Sequence, residues 1–164
     1  MSLADYHLVF IHGYTSSSNG DWYPAMSSLL DERHISYAVP DLPGGDRPRA
    51  SEWLTRIHKE VSAAPKPVIL VGQSLGTRAM MLYLHEHPEV KVAAAVLIAT
   101  FNNDVVANKY KRGEGYANFW EYQVDTDQLR RQAERWLILH ARDDKNIHYG
   151  QAKDIARQLG ANLK

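Results

Sequence analysis

The run Gly72-Gln73-Ser74-Leu75-Gly76 sets a serine between two glycines, directly after the apolar run Val68-Ile69-Leu70-Val71 and directly before a segment of helical pattern. A serine on a sharp strand-to-helix turn is held in a strained backbone conformation, and glycines two positions to either side let strand and helix approach without β-carbon clashes. The chemistry this permits is attack by the Ser74 hydroxyl on an acyl carbon. His12-Gly13-Tyr14 closes the first apolar run, where the Tyr14 N–H can join the Leu75 N–H in holding an oxyanion. Such donors stabilise charge that develops only in the transition state, by about 3 to 4 kcal/mol each. The His12 side chain is read as a hydrogen-bonding partner of its own loop, outside the chemistry. A third group follows a later apolar run, in His140-Ala141-Arg142-Asp143-Asp144. An aspartate on that turn can orient a histidine toward the serine. Asp144, followed by two residues and then apolar Ile147, is the favoured acid; Asp143 is the alternative, suited to capping the turn, and both also suit a plain strand end.

Two kinds of apolar segment alternate along the chain and must position these groups. Tyr6 to Ile11, Ser36 to Val39, Val68 to Val71, Val92 to Ile98 and Arg135 to His140 read as strands. Between and after them, Trp22 to Glu32, a segment capped by Ser51 with Trp53, Leu54, Ile57 and Val61 on one face, Thr77 to Glu86, and Tyr149 to Leu159 read as helices, the last ended by Gly160. Continuous apolar strands separated by helices predict an α/β fold with a mostly parallel sheet covered on both faces. The interval Phe101 to Glu134 is polar and turn-rich, then helical around Asp127 to Glu134; it is too short for a large lid, which predicts an open site and small substrates.

Composition narrows the function classes. The chain has 164 residues, 45% hydrophobic and 23% charged, enough for one domain with its own core; a domain of roughly 150 residues buries about 70% of its unfolded surface. It has no cysteine, which excludes disulfides, thiolate zinc sites and a cysteine nucleophile. Lysine plus arginine equals aspartate plus glutamate at 19 each, so the basic footprint of a nucleic-acid binder is missing. The longest apolar stretch, Val92 to Phe101, falls short of the ~20 residues a spanning helix needs, and no basic-then-apolar leader opens the chain. The expectation is a cytoplasmic protein with no membrane or nucleic-acid partner, and nothing in the sequence points to a protein partner.

Other groups carry weaker chemistry. His85-Glu86-His87 suggests a metal, but residues two apart on a helix point to different sides, and no HExxH is present, so no metal is expected. Lys109-Tyr110-Lys111-Arg112-Gly113 reads as a polar loop. Pro43-Gly44-Gly45 lacks both phosphate-loop patterns, and no cofactor is implied. Trp22, Phe119, Trp120 and Tyr122 can line a substrate pocket beside Ser74; the alternative is that the aromatics of the long connection pack it onto the sheet.

Together, the His12-Gly13-Tyr14 turn, Trp22-Tyr23, Asp41-Leu42-Pro43, the Ser74 elbow, Gly115-Tyr116 through Phe119-Trp120 and Asp143-Asp144 resemble the α/β-hydrolase superfamily over nearly the whole chain. They are similar to its small lidless serine hydrolases, the group that includes retinoblastoma-binding protein 9. Gln73 departs from the histidine that often precedes the serine in that group, at a position outside the chemistry. The resemblance implies cleavage of carboxylic esters, or of amides or thioesters, through an acyl-enzyme on Ser74. It also implies a further strand after the last helix, with the catalytic histidine on the loop beyond it. Here no histidine follows His148, and the chain stops at Ala161-Asn162-Leu163-Lys164, where that strand would begin. His148, His140, His85 and His87 are all poorly placed to replace it. The expectation is therefore a single domain over residues 1–164, cut short of its last strand and its base. The alternative is a hydrolase-fold protein without turnover that serves as a binding or interaction module.

Overall fold

Each apolar run becomes a strand, and the strands lie side by side pointing the same way. The computed structural model describes residues 2–102 and 114–164. The Lys109–Gly113 run, read as a polar loop, lies outside the described residues. The strands are β1 (His7–Ile11), β2 (Ser36–Ala38), β3 (Val68–Gln73), β4 (Ala94–Ile98), β5 (Trp136–Leu139) and β6 (Asn162–Leu163). Among the described residues they form one parallel sheet in the order β2-β1-β3-β4-β5-β6. The helices are α1 (Tyr23–Glu32), α2 (Ala50–Ser62), α3 (Leu75–Glu86), α4 (Thr126–Arg130) and α5 (Tyr149–Leu159), with a 3-10 segment at Glu114–Trp120. None is long and apolar enough to cross a membrane.

The register sorts the side chains into two layers. Val9, Leu70, Ala95, Leu97 and Ile138 are fully buried beneath α2, α3 and α5, which contribute Trp53, Ile57, Met80, Leu84, Ala152 and Ile155 to the same core. On the opposite face Leu8, Phe10 and Val71 pack against Tyr23 and Leu30 of α1. Toward β4 and β5 that second face is only partly covered: Val96, Ile98 and Leu137 are half-buried, and Leu139 is 37% exposed. Parallel sheets are ordinarily covered on both faces, so this corner departs from the usual pattern.

Two element ends differ from the sequence reading. The last strand, expected to be missing, is present as the two-residue β6, with Asn162 and Leu163 beside Leu137 and Ile138. The Lys164 N–H extends the pairing by donating to the Ile138 carbonyl at 2.9 Å. Ser51 does not cap α2; Arg49 holds that position without a side-chain bond. The cap comes instead from Asn118, 68 residues later, whose Oδ1 accepts the Ala50 N–H at 2.7 Å. Its Nδ2 donates to the Pro48 carbonyl at 3.0 Å, so one amide ties the Glu114–Trp120 segment to the start of α2. Such a cap is invisible to a search for local Ser, Thr, Asp or Asn.

Candidate active site

Parallel pairing brings the C-terminal ends of β1, β3, β4 and β5 to one edge of the sheet, and the chemical groups sit on the turns that follow. Ser74 joins β3 to α3 with φ 50° and ψ −119°, a left-handed backbone that a residue with a β-carbon adopts only under constraint. The constraint is visible. The Ser74 N–H donates to the Ile98 carbonyl at 2.9 Å, and its carbonyl accepts both the Thr77 N–H at 2.9 Å and the Thr77 hydroxyl at 2.7 Å. Thr100, fully buried, donates its own hydroxyl to Thr77 Oγ1 at 3.1 Å. A β-carbon on Gly72 would stand 2.8 Å from the Gly76 carbonyl oxygen, and one on Gly76 would collide with the Ile11 carbonyl oxygen. The two glycines are thus places where backbone meets backbone.

A cavity of about 340 Å³ opens above Ser74, lined by Tyr14, Leu75, Tyr116, Asp144 and Ile147 among others. Leu75 is the first residue of α3, so its N–H has no acceptor inside the helix and the positive end of the helix faces the cavity. The Gly13 turn lies against the serine: a β-carbon there would be 3.3 Å from Ser74 Cβ. Tyr14 turns its ring aside, edge-on to Tyr116 at 4.8 Å, and its hydroxyl donates to the Asp46 carbonyl at 2.6 Å. That leaves backbone rather than side chain as what the turn offers Ser74.

His12 is 2% exposed and fastens the turn from behind. Its Nε2 accepts the Leu42 N–H at 3.0 Å, which fixes the tautomer: Nδ1 carries the proton and donates to the Gly13 carbonyl at 2.8 Å. Both nitrogens are used, so the ring joins β1 to the Asp41-Leu42-Pro43 segment and has none left for catalysis. Burial holds the His12 pKa below the ordinary 6.5, and burial does the same at His7. The sign follows. Above pH 6.5 both states are neutral and stability is full; as pH falls, the unfolded chain takes the proton first, so stability drops until pH passes the folded pKa. The melting temperature is expected to fall between pH 7 and pH 5, and to fall less in His12→Asn. An equal fall in both proteins would exclude His12 as a source.

Asp144 and Asp143 separate clearly. Asp144 lines the cavity, and its Oδ1 accepts the N–H groups of Asn146 at 2.7 Å and Ile147 at 2.9 Å. The carboxylate that closes the turn is therefore the one that faces Ser74, while Asp143 is exposed. The turn-capping role suggested for Asp143 belongs to its neighbour.

A sequence profile of the serine hydrolase family matches residues 8–164. The chain belongs to the serine hydrolase family. Its fold is that of the α/β-hydrolases. It is 24% identical over 155 residues to YdeN of Bacillus subtilis (strain 168), covering 93% of this chain and 78% of YdeN. The crystal structure of the ydeN gene product superimposes with a TM-score of 0.83 at 21% identity, covering 96% of this chain and 83% of that one. Est1E from Butyrivibrio proteoclasticus, solved with ferulic acid bound, gives a TM-score of 0.74 at 15% identity over 99% of this chain and 79% of its own.

In this serine hydrolase, no histidine is among the described residues that line the Ser74 cavity. His140 is the nearest in kind: its side chain is fully buried behind Asp144, with Nε2 at 3.0 Å from the Ile147 carbonyl and 3.8 Å from Asp144 Oδ2. His148 caps α5 through the Gly150 N–H. His85 accepts the Asp125 N–H at 3.3 Å and His87 stacks on His58 at 4.7 Å, so the paired histidines point to different partners. Among the described residues no cluster of three or more metal-ligating side chains is found.

The aromatics named from sequence do not line this cavity. Trp22 packs on the α1 side, where its Nε1 and the Tyr23 hydroxyl both donate to Gln73 Oε1, at 3.0 and 2.9 Å. Phe119 is fully buried, edge-on to Trp53 at 5.1 Å, as the packing alternative has it. Trp120 stacks on Phe101 at 5.2 Å and, with Tyr122, lines a neighbouring cavity. The residues that do form the wall, Tyr116, Phe101, Ala99 and Ile147, include one with a strained backbone, Ala99 at φ 51°. Nothing in an alanine's identity announces that conformation.

Proposed function

We propose that this serine hydrolase cleaves small carboxylic esters through an acyl-enzyme on Ser74, without metal or cofactor. Ser74 attacks the acyl carbon, and the Leu75 and Tyr14 N–H groups receive the oxyanion. Asp144 holds a histidine that takes the serine proton and returns it to the leaving alcohol; water then releases the acid by the same steps. The observation that supports this reading is the single cavity lined by Ser74, Leu75, Tyr14 and Asp144. Amides and thioesters present the same carbonyl, and a small ester is favoured by a cavity of this size. The proposed setting is the cytoplasm.

We place the base histidine on a short segment following Lys164, in a Gly-His context. The half-covered face around Ile98 and Leu139 leaves room for such a segment to pack. Reading the coding frame past the Lys164 codon checks this, and a stop codon directly there overturns it. A fluorophosphonate probe tests the function itself. The protein expressed from its whole reading frame is expected to be labelled at Ser74, and Ser74→Ala to remain unlabelled. An intact, folded wild-type chain that resists the probe would leave a binding module in place of an enzyme.

A further inference from the structure

Arg78 is a buried cation with no carboxylate partner among the described residues. It lies on α3 four residues after Ser74, about 6 Å further along the helix, and is 8% exposed. Its Nε donates to the Phe119 carbonyl at 2.9 Å and its Nη2 to the Tyr122 carbonyl at 2.5 Å. The guanidinium carbon sits 5.4 Å from the centre of the Trp120 ring. Among the described residues no carboxylate lies within ion-pair distance of it. Burial alone lowers its pKa, to about 10, so it remains charged at neutral pH. A charge taken out of water is ordinarily matched by an opposite one, and two carbonyl dipoles match it only in part.

This charge borders a cavity of about 270 Å³ whose walls include Met81, Phe101, Trp120, Ile155 and Leu159. Phe101 also lines the Ser74 cavity, so the two spaces meet at one side chain. Guanidinium has five N–H donors in a fixed plane. With Nε–H and one Nη2–H given to carbonyls, the edge formed by Nη1 and the second Nη2–H is left. That edge matches a planar carboxylate. A single negative charge balances the single positive one, whereas a phosphate dianion would bring excess charge against apolar walls.

We propose that the Arg78 cavity binds a carboxylate on an apolar stem, and that the substrate of the Ser74 site is an ester bearing such a carboxylate beyond its scissile bond. The second half rests on the ester reading above; the binding site itself does not. The test uses the chain as it stands, with phenylacetate and its neutral isostere phenylacetamide as probes in calorimetric titration. Phenylacetate is expected to bind at least tenfold tighter than the amide. It should quench tryptophan fluorescence in the wild type and not in Trp120→Phe, which locates it in this cavity. Arg78→Met should lower phenylacetate affinity to that of the amide, while Arg78→Lys, which keeps the charge, should retain part of the preference. Equal affinities in the wild type, or no binding of either probe, would overturn the proposal without recourse to any variant. Those results would leave fluorophosphonate labelling of Ser74 unaffected; a carboxylate preference with no such labelling would instead refute the ester reading and keep the site.

Discussion

Asp144→Asn, in the protein carrying its base histidine, is expected to lower the rate of ester hydrolysis by about 10⁴, the loss seen when a triad aspartate is made neutral. The substitution separates chemistry from scaffolding. Asp144 Oδ1 accepts the Asn146 and Ile147 N–H groups, and the amide oxygen of asparagine accepts them equally well. The turn therefore survives. What is lost is the negative charge that steadies an imidazolium, together with an acceptor for the histidine N–H, since an amide NH₂ there favours the wrong tautomer. Substrate affinity should change little, so the loss should fall on kcat rather than KM. Asp143→Asn is exposed and outside the cavity wall, and its expected effect is within a factor of about two. Steady-state kinetics on a p-nitrophenyl ester, with urea melts to show equal stability, checks both. Equal losses at the two positions, or a larger loss at Asp143, would remove Asp144 from the role assigned to it.

The parts of the site that sequence reveals are those in which local chemistry and local geometry coincide. Gly72, Ser74 and Gly76 are legible because a strained serine and two close backbone approaches demand those residue types at that spacing. The Asp144 turn is legible for a similar reason, since one carboxylate both closes the turn and faces the cavity. The cavity wall is not. Whether Phe119 or Tyr116 reaches the serine depends on how the Glu114–Trp120 segment lies on α2, and that is set by Asn118 bonding Pro48 and Ala50 across the fold. An aromatic count identifies a hydrophobic connection and gives no direction for any ring.

The fold was legible to a similar depth. Strands β1 and β3 are near-continuous apolar runs because both their faces are enclosed; β4 and β5 keep the apolar pattern although one face is only half covered, and the bounds of all four shift by only a residue or two. The helix boundary at Gly160, with φ 66°, follows from the left-handed cap that glycine alone adopts freely. Strand β6 escapes such reading because two residues carry no period, and its pairing rests on the Leu137 and Ile138 backbone that happens to lie beside it. Arg78 escapes for the opposite reason: in sequence it is one cation on a helix, and only the packing of Phe119, Trp120 and Tyr122 around it removes it from water.

Gly76→Ala tests the elbow at its tightest point, and the sign of its effect distinguishes two accounts of that glycine. Gly76 is the second residue of α3, and by helix propensity alone alanine there would stabilise the protein, by up to about 1 kcal/mol. The geometry predicts the reverse. The new β-carbon would overlap the Ile11 carbonyl oxygen and stand 2.7 Å from that of His12. Neither oxygen can retreat cheaply: Ile11 is paired with Gly72 at the centre of the sheet, and His12 heads the turn that brings Tyr14 to the cavity. Relief requires α3 to lift from β1, which would break the Thr77 and Thr100 bonds that hold Ser74 and open the core around Ile11 and Leu75. Overpacking in a close-packed interior costs about 1 to 3 kcal/mol, and backbone against backbone belongs at or beyond the top of that range. The expected result is a lower urea midpoint with unchanged m-value, corresponding to a loss of about 3 kcal/mol or more. A midpoint at or above that of the wild type would mean that the close contact between α3 and β1 is not what requires glycine at this position.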